Sequence, residues 1–315
     1  MTEQLIYLYG KLGLHHTALD MLTDRGYTIL RGADDQTDAD FLRRAREAQI
    51  VVMDDHYFKE AWFDQLPQLR LIIRRGVGYD KIPIEAATQR HVWVANTPGA
   101  NASSVAEIAV GLMLETVRKM PAARDYLNQL TGKMYPSYLV SHSLGSRTVG
   151  LVGYGNIAKA TEQMVAGFGA KILVTARHPH TPKYGQFVDL ATLLAESDVV
   201  SLHLPATAET TGLFDRQLFA QMKTDAILIN TSRGSLVNET DLVAAIDGGI
   251  IGGAGLDTTS MEPVPAQSPL LAHERIVLLP HIGGFTIEAE VKTAHMVAQN
   301  CIDLFKGRTP RFALN

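Results

Sequence analysis

Short apolar runs recur along the chain, and between them apolar residues return every three or four positions. The runs at 5–9 (LIYLY), 27–30 (YTIL), 50–53 (IVVM) and 71–74 (LIIR) are continuous rather than alternating, the form of strands buried on both faces. Stretches 15–25, 38–47 and 59–65 carry the helical period. Strands alternating with helices predict a parallel α/β sheet. A denser apolar stretch, Val105 to Met120, predicts one long helix, opened by a capping box from Ser104 to Glu107. Its apolar density predicts burial between two bodies and places the first domain crossing there. Residues 126–147 are less regular and read as an arm or loop.

The alternation then resumes. Apolar runs at 148–152, 171–175, 198–205, 226–230, 253–257 and 276–280 predict six further strands, each ending in a loop with polar residues. Such strand ends are where open α/β sheets gather their chemistry. The last helix, 287–305, is long and amphipathic and is expected to return to the first domain.

The first of these six strands breaks into Gly153, Tyr154, Gly155, Asn156, Ile157 and Ala158, and a helical pattern follows. Strand, glycine turn and helix start are the context that a dinucleotide-binding turn requires. Gly153 permits the sharp turn, and Gly155 lets backbone N–H groups approach a pyrophosphate. Ala158 keeps the helix close to the strand. The helix N-terminus supplies unpaired donors and a partial positive charge.

Composition narrows the partners. At 315 residues the chain has room for two domains, and 46% hydrophobic with 20% charged residues fits a soluble globular protein. A net charge of -4 gives no reason to expect nucleic acid or an anionic membrane. No apolar run approaches the ~20 residues that span a bilayer, and the start lacks a signal peptide's basic region. The single cysteine, Cys301, lies in the last helix as a packed thiol, which fits a reducing cytoplasm. No metal site is expected.

Three strand-end loops carry the candidate chemistry: 230–234 (NTSRG), 257–263 (DTTSMEP) and 280–284 (PHIGG). Singly, Arg233, Glu262 and His281 are an ordinary loop cation, turn acid and loop histidine. On successive strand ends of one nucleotide-binding sheet they become a donor, an acid and a titratable base that can meet. Residues 75–80 (RGVGYD) stand at another strand end, where a plain turn and a ligand loop are equally good readings.

These motifs, together with 96–99 (NTPG) and 104–107 (SVAE), resemble the D-isomer-specific 2-hydroxyacid dehydrogenase family over essentially the whole chain. The resemblance implies two Rossmann-like, doubly wound parallel-sheet domains. The substrate domain would comprise 1–99 and 283–315, the dinucleotide domain 100–282, and the protein would be a homodimer. It implies Arg233, Glu262 and His281 as the catalytic set. Asp257 is similar to the residue that takes the nicotinamide carboxamide, and Leu204, Pro205, Thr231 and Ser232 to those lining its ribose. Gly283 and Gly284 fall in the same cofactor set.

The chemistry agrees with that assignment. Arg233 can grip a 2-oxo acid's carboxylate through paired N–H bonds, and the amides of Val77 and Gly78 would hold it from the other domain. Charge grows on the carbonyl oxygen during reduction, and His281 can deliver the proton. Glu262 beside it favours the imidazolium. Formate dehydrogenases, which carry glutamine in place of Glu262, and phosphite dehydrogenases, which carry lysine at Val77, do not fit.

At the cofactor's ribose the chain departs from the family's NAD-preferring members. Ala176 stands where they carry an acid, and Arg177, His178 and His180 follow. A missing carboxylate and an added arginine predict NADP(H) over NAD(H). The nearest pattern is that of NADP-linked glyoxylate and hydroxypyruvate reductases. The expected function is reduction of a small 2-oxo acid to a D-2-hydroxy acid. The alternatives are a broader D-2-hydroxyacid dehydrogenase for longer side chains and, from another class, a dinucleotide-sensing regulator. Met53, Asp54, Asp55 and His56, with Tyr135 or Tyr138, are the expected pocket walls.

Overall fold

Each apolar run named above forms a strand, and all strand pairs are parallel. The computed structural model describes residues 4–10, 13–33, 36–54, 56–129 and 136–315. It divides into two compact units, Met1–Asn101 with Phe285–Asn315, and Ala102–Gly284.

The first unit holds β1 (Leu5–Tyr9), α1 (His16–Thr23), β2 (Thr28–Arg31), α2 (Asp38–Ala45), β3 (Ile50–Met53), β4 (Leu71–Arg74), α3 (Ile84–Gln89) and β5 (Trp93–Ala95). Its sheet runs β2-β1-β3-β4-β5. Strand β5 is only three residues long, too short to show a pattern, and the sequence reading passes over it. The predicted helix at 59–65 is a 3-10 turn, Glu60–Gln65. Alternate residues serve opposite faces. Ile6, Ile50 and Leu71 pack with Ala18 and Leu22 of α1 and with Val297, Ala298 and Cys301 of the C-terminal helix. Tyr7, Val51 and Ile72 pack with Phe41, Trp62 and Ala87. That C-terminal helix spans Ile287–Phe305, and the Thr286 hydroxyl accepts the Ala289 amide at its start.

The second unit holds α4 (Ala102–Val117), α5 (Met120–Gln129), β6 (Thr148–Val152), α6 (Asn156–Ala166), β7 (Lys171–Thr175), β8 (Gln186–Phe187), α7 (Leu190–Glu196) and β9 (Val199–Leu202). It continues through α8 (Arg216–Phe219), β10 (Ile227–Asn230), α9 (Glu239–Asp247), β11 (Gly253–Leu256) and β12 (Ile276–Leu278). The strand order is β12-β11-β10-β9-β6-β7-β8. It reverses between β6 and β9, so the crevice beyond their carboxyl ends is a ligand position. Helices α4 and α6 cover one face with Met113, Val117, Ala158 and Val165. Helices α7 to α9 cover the other with Leu193, Phe219 and Leu242.

Two expectations for the long helix are corrected. It breaks at Lys119, whose φ is 51°, because Pro121 cannot donate to the carbonyl four residues earlier. It also begins at Ala102, so Ser104 sits inside its first turn and is not an N-cap. The Ser103 hydroxyl donates to Glu107 at 3.4 Å. Among the described residues no helix is long and apolar enough to cross a membrane.

Candidate active site

The turn after β6 is built around Gly153. Its φ of +97° suits glycine, and a Cβ there would lie 2.4 Å from the His203 carbonyl oxygen. Gly155 is the N-cap of α6, faces open space, and offers no side chain to the first-turn amides. The starts of α7, α8 and α9 differ, being capped by Asp189, Asp215 and Asn238. Exposed Asn156 and half-buried Ile157 therefore present helix-start amides to an incoming phosphate. At the end of β10 the buried Thr231 hydroxyl has no protein partner among the described residues. An uncapped 11-residue helix behind a glycine turn and an unpartnered buried hydroxyl fit a dinucleotide.

Tyr154 departs from the expectation. Its side chain is buried in the core beside α6, and its hydroxyl donates to Glu162 at 2.5 Å. Only its backbone can serve the turn. Leu204 lies against Gly153, while Pro205 is exposed and its carbonyl accepts the Thr210 hydroxyl at 2.7 Å. Past β7, Ala176 is half-buried, and Arg177, His178 and His180 are exposed. Arg177 approaches Glu209 at 3.6 Å, with both side chains about three-quarters exposed.

The strand-end loops of β10, β11 and β12 are locked together. Asn230 donates to the Arg233 carbonyl at 2.8 Å and accepts the Ser232 amide at 3.0 Å. The Ser232 hydroxyl donates to the Leu202 carbonyl of β9 at 2.7 Å. Half-buried Arg233 donates from Nη1 to the Ser232 carbonyl at 2.8 Å. A Cβ on the next residue, Gly234, would sit 1.8 Å from the Thr259 carbonyl carbon, so only glycine permits this approach of two backbones. Glu262 Oε1 accepts the Thr259 amide at 3.1 Å, and its Oε2 lies 2.7 Å from His281 Nδ1. That hydrogen bond, working against partial burial, raises the His281 pKa above 6.5.

His281 itself has φ 56°, a left-handed conformation that costs a non-glycine residue free energy and clusters at functional sites. Asp257, 1% exposed, holds it there. Its two oxygens accept the amides of Ile282 and Gly283 at 2.9 and 2.8 Å. Burial raises the Asp257 pKa, opposed by those two amides. Both carboxylate oxygens thus already serve the loop, beyond the carboxamide contact implied by resemblance. Gly284 is half-buried just after it.

In the first unit, Asn96 donates to the Val77 carbonyl at 2.7 Å and the Thr97 amide to the Gly76 carbonyl at 3.0 Å. These bonds fix the loop after β4. The amides of Val77 and Gly78 donate to no acceptor among the described residues. Arg75, 7% exposed, pairs with Asp54 at 2.9 Å and with Glu290. The expected pocket walls are partly corrected. Met53 is wholly buried in the core, because β3 alternates it inward. Asp54 is tied to Arg75, and His56 rests on the Tyr9 ring at 4.8 Å. Tyr138 is exposed, and Asp55 and Tyr135 lie outside the described residues.

The sequence reading missed His203 and Glu162. His203 follows β9, with Nε2 3.0 Å from the Ser201 hydroxyl, and burial lowers its pKa to about 4. One histidine in an apolar run carries no mark of that. Among the described residues no cluster of metal-ligating side chains occurs.

A reversed parallel sheet with a glycine turn at its switch point is the layout of a dinucleotide-binding domain, and the imidazole–carboxylate pair at the same edge is an acid–base group of the kind a dehydrogenase uses. Residues 110–283 match the family described as D-isomer specific 2-hydroxyacid dehydrogenase, NAD binding domain. A glyoxylate reductase of Korarchaeum cryptofilum (strain OPF8) is 37% identical over 275 residues, 85% of this chain and 82% of the relative. Glyoxylate/hydroxypyruvate reductase B of Shigella flexneri is 36% identical over 276 residues, 85% of each chain. The crystal structure of a glyoxylate reductase from Paecilomyes thermophila superposes with a TM-score of 0.89 at 26% identity, over 100% of this chain and 99% of that one. The chain belongs to the D-isomer-specific 2-hydroxyacid dehydrogenase family.

Proposed function

We propose that this enzyme reduces small 2-oxo acids, foremost glyoxylate and hydroxypyruvate, to D-2-hydroxy acids, with NADPH preferred over NADH. The observation that carries the reading is the Glu262–His281 contact of 2.7 Å. It occupies Nδ1 and leaves Nε2 as the donor toward a substrate oxygen. The names of the two curated relatives support the substrate class.

The bound dinucleotide supplies the hydride. Arg233 receives the substrate carboxylate through its guanidinium fork. The Val77 and Gly78 amides are further donors of the kind a carboxylate takes. His281, whose charged form Glu262 favours, gives its Nε2 proton to the carbonyl oxygen as negative charge gathers there. The amides of Gly155, Asn156 and Ile157 bind the pyrophosphate, with Leu204, Pro205, Thr231, Ser232, Gly283 and Gly284 around the nicotinamide half. Arg177 and His178 meet the adenosine ribose. The Arg177–Glu209 pair is exposed and therefore weak, so a 2′-phosphate can displace it.

Exposed Leu127, Tyr138 and Val140, on α5 and the segment after it, support a homodimer. One buried thiol, Cys301, fits the cytoplasm. The test is steady-state oxidation of NADPH and of NADH with glyoxylate, hydroxypyruvate and longer 2-oxo acids. Negligible turnover with every acid would leave only a dinucleotide sensor. Faster turnover with longer acids would favour the broader dehydrogenase.

A further inference from the structure

Glu162 lies on α6 facing inward and is 1% exposed. An amphipathic helix normally buries an apolar residue there, and a carboxylate is tolerated only where donors replace water. Three neutral donors do so. Oε1 accepts the amides of Tyr184 and Gly185 at 2.6 and 2.8 Å. Oε2 accepts the Tyr154 hydroxyl at 2.5 Å. The donors come from two separate segments. Tyr154 is the middle residue of the phosphate turn, and Tyr184 and Gly185 close the loop that opens with Ala176, Arg177 and His178. His180 of that loop also packs its ring on Tyr154, with centroids 5.3 Å apart. Burial opposes ionisation of Glu162, but the hydroxyl and the amides outweigh it and lower its pKa. Burial and the same contact raise that of Tyr154 to about 12. Both shifts favour a phenol donating to a carboxylate.

We propose that Glu162 is a positioning residue for dinucleotide binding, joining Tyr154 to the Tyr184–Gly185 turn so that the 176–185 loop stands in register with the phosphate turn. The inference rests on the reading above that this loop faces the adenosine ribose. Gly155 and Asn156 then meet the phosphates while Arg177 and His178 reach the ribose, and one buried carboxylate fixes the distance between them.

Three variants test it: Glu162→Ala, Glu162→Gln and Tyr154→Phe. Glu162→Ala is expected to raise KM for both NADPH and NADH roughly tenfold, the size of one lost charge-assisted hydrogen bond, with kcat within about twofold. Glu162→Gln keeps a carbonyl for the two amides and should restore most of the affinity. Tyr154→Phe removes one of the three donors and should raise KM for both coenzymes by less than Glu162→Ala does, which keeps the proposal testable if Glu162→Ala fails to fold. Without dinucleotide, trypsin should cut Glu162→Ala faster after Arg177 and Lys183, while cleavage after exposed Arg43 and Arg216 stays at the wild-type rate. Unchanged KM for both coenzymes, a fall in kcat alone, or uniformly faster cleavage would overturn it. If the wild type does not prefer NADPH, the role of Arg177 fails. The Glu162 effect, read on both coenzymes, still stands or falls by itself.

Discussion

Glu262 Oε2 stands 2.7 Å from His281 Nδ1, while its other oxygen is held by the Thr259 amide. The carboxylate is fixed before it meets the imidazole, so it raises the His281 pKa and also sets the ring's orientation. In the proposed mechanism, reduction needs the protonated ring. Its rate should be full below the raised pKa and fall as pH rises through it, whereas oxidation of the hydroxy acid should show the opposite limb. Glu262→Gln removes the charge that raises the pKa and should move the limb for reduction to lower pH. The kcat/KM profile against pH checks this, and loss of activity with an unmoved limb would leave Glu262 a purely orienting role.

Arg233 already gives Nη1 to its neighbour's carbonyl, which sets the direction of its remaining N–H groups. Arg233→Lys keeps the charge and loses the fork. It should lower kcat/KM for glyoxylate roughly 10- to 150-fold, the worth of one charge-assisted bond. Near-normal activity in the lysine variant would show that charge alone suffices.

Gly234→Ala should be destabilising although it adds only a methyl group. The new Cβ would lie 1.8 Å from one backbone atom and within 2.3 Å of two more, so the 230–234 and 257–263 loops must part. Overpacking of this kind costs about 1–3 kcal/mol, read as a lower urea midpoint. Activity should fall further than stability, since Arg233 and Glu262 ride on the separated loops. Wild-type stability would contradict the contact.

Coenzyme choice should follow Ala176 and Arg177. Arg177→Ala is expected to lower kcat/KM with NADPH by ~10- to 150-fold and leave NADH nearly unchanged. Adding Ala176→Asp introduces repulsion toward a 2′-phosphate and should turn the preference to NADH. Better turnover of the unmodified enzyme with NADH would end this reading, with the reductase chemistry untouched.

The strands with an apolar run, the glycine turn and the order of the strand-end loops are legible in the chain, because each is encoded locally, whereas the short β5 and β8 are not. Continuous β-branched runs mark buried parallel strands, and Gly153 marks the one backbone angle the turn needs. Arg233, Glu262 and His281 were legible as candidates because each follows such a run. What the tertiary structure decided lies in contacts between residues far apart in the chain. Asp257 reaches Ile282 and Gly283, 25 and 26 residues on, to hold His281 in its left-handed conformation. Tyr154 looks like a site residue in sequence, yet its ring turns into the core because Glu162 waits there. Met53 sits beside polar neighbours but points inward, since strand alternation assigns faces only once the sheet has helices on both. Periodicity states which residues share a face; only packing states what that face meets.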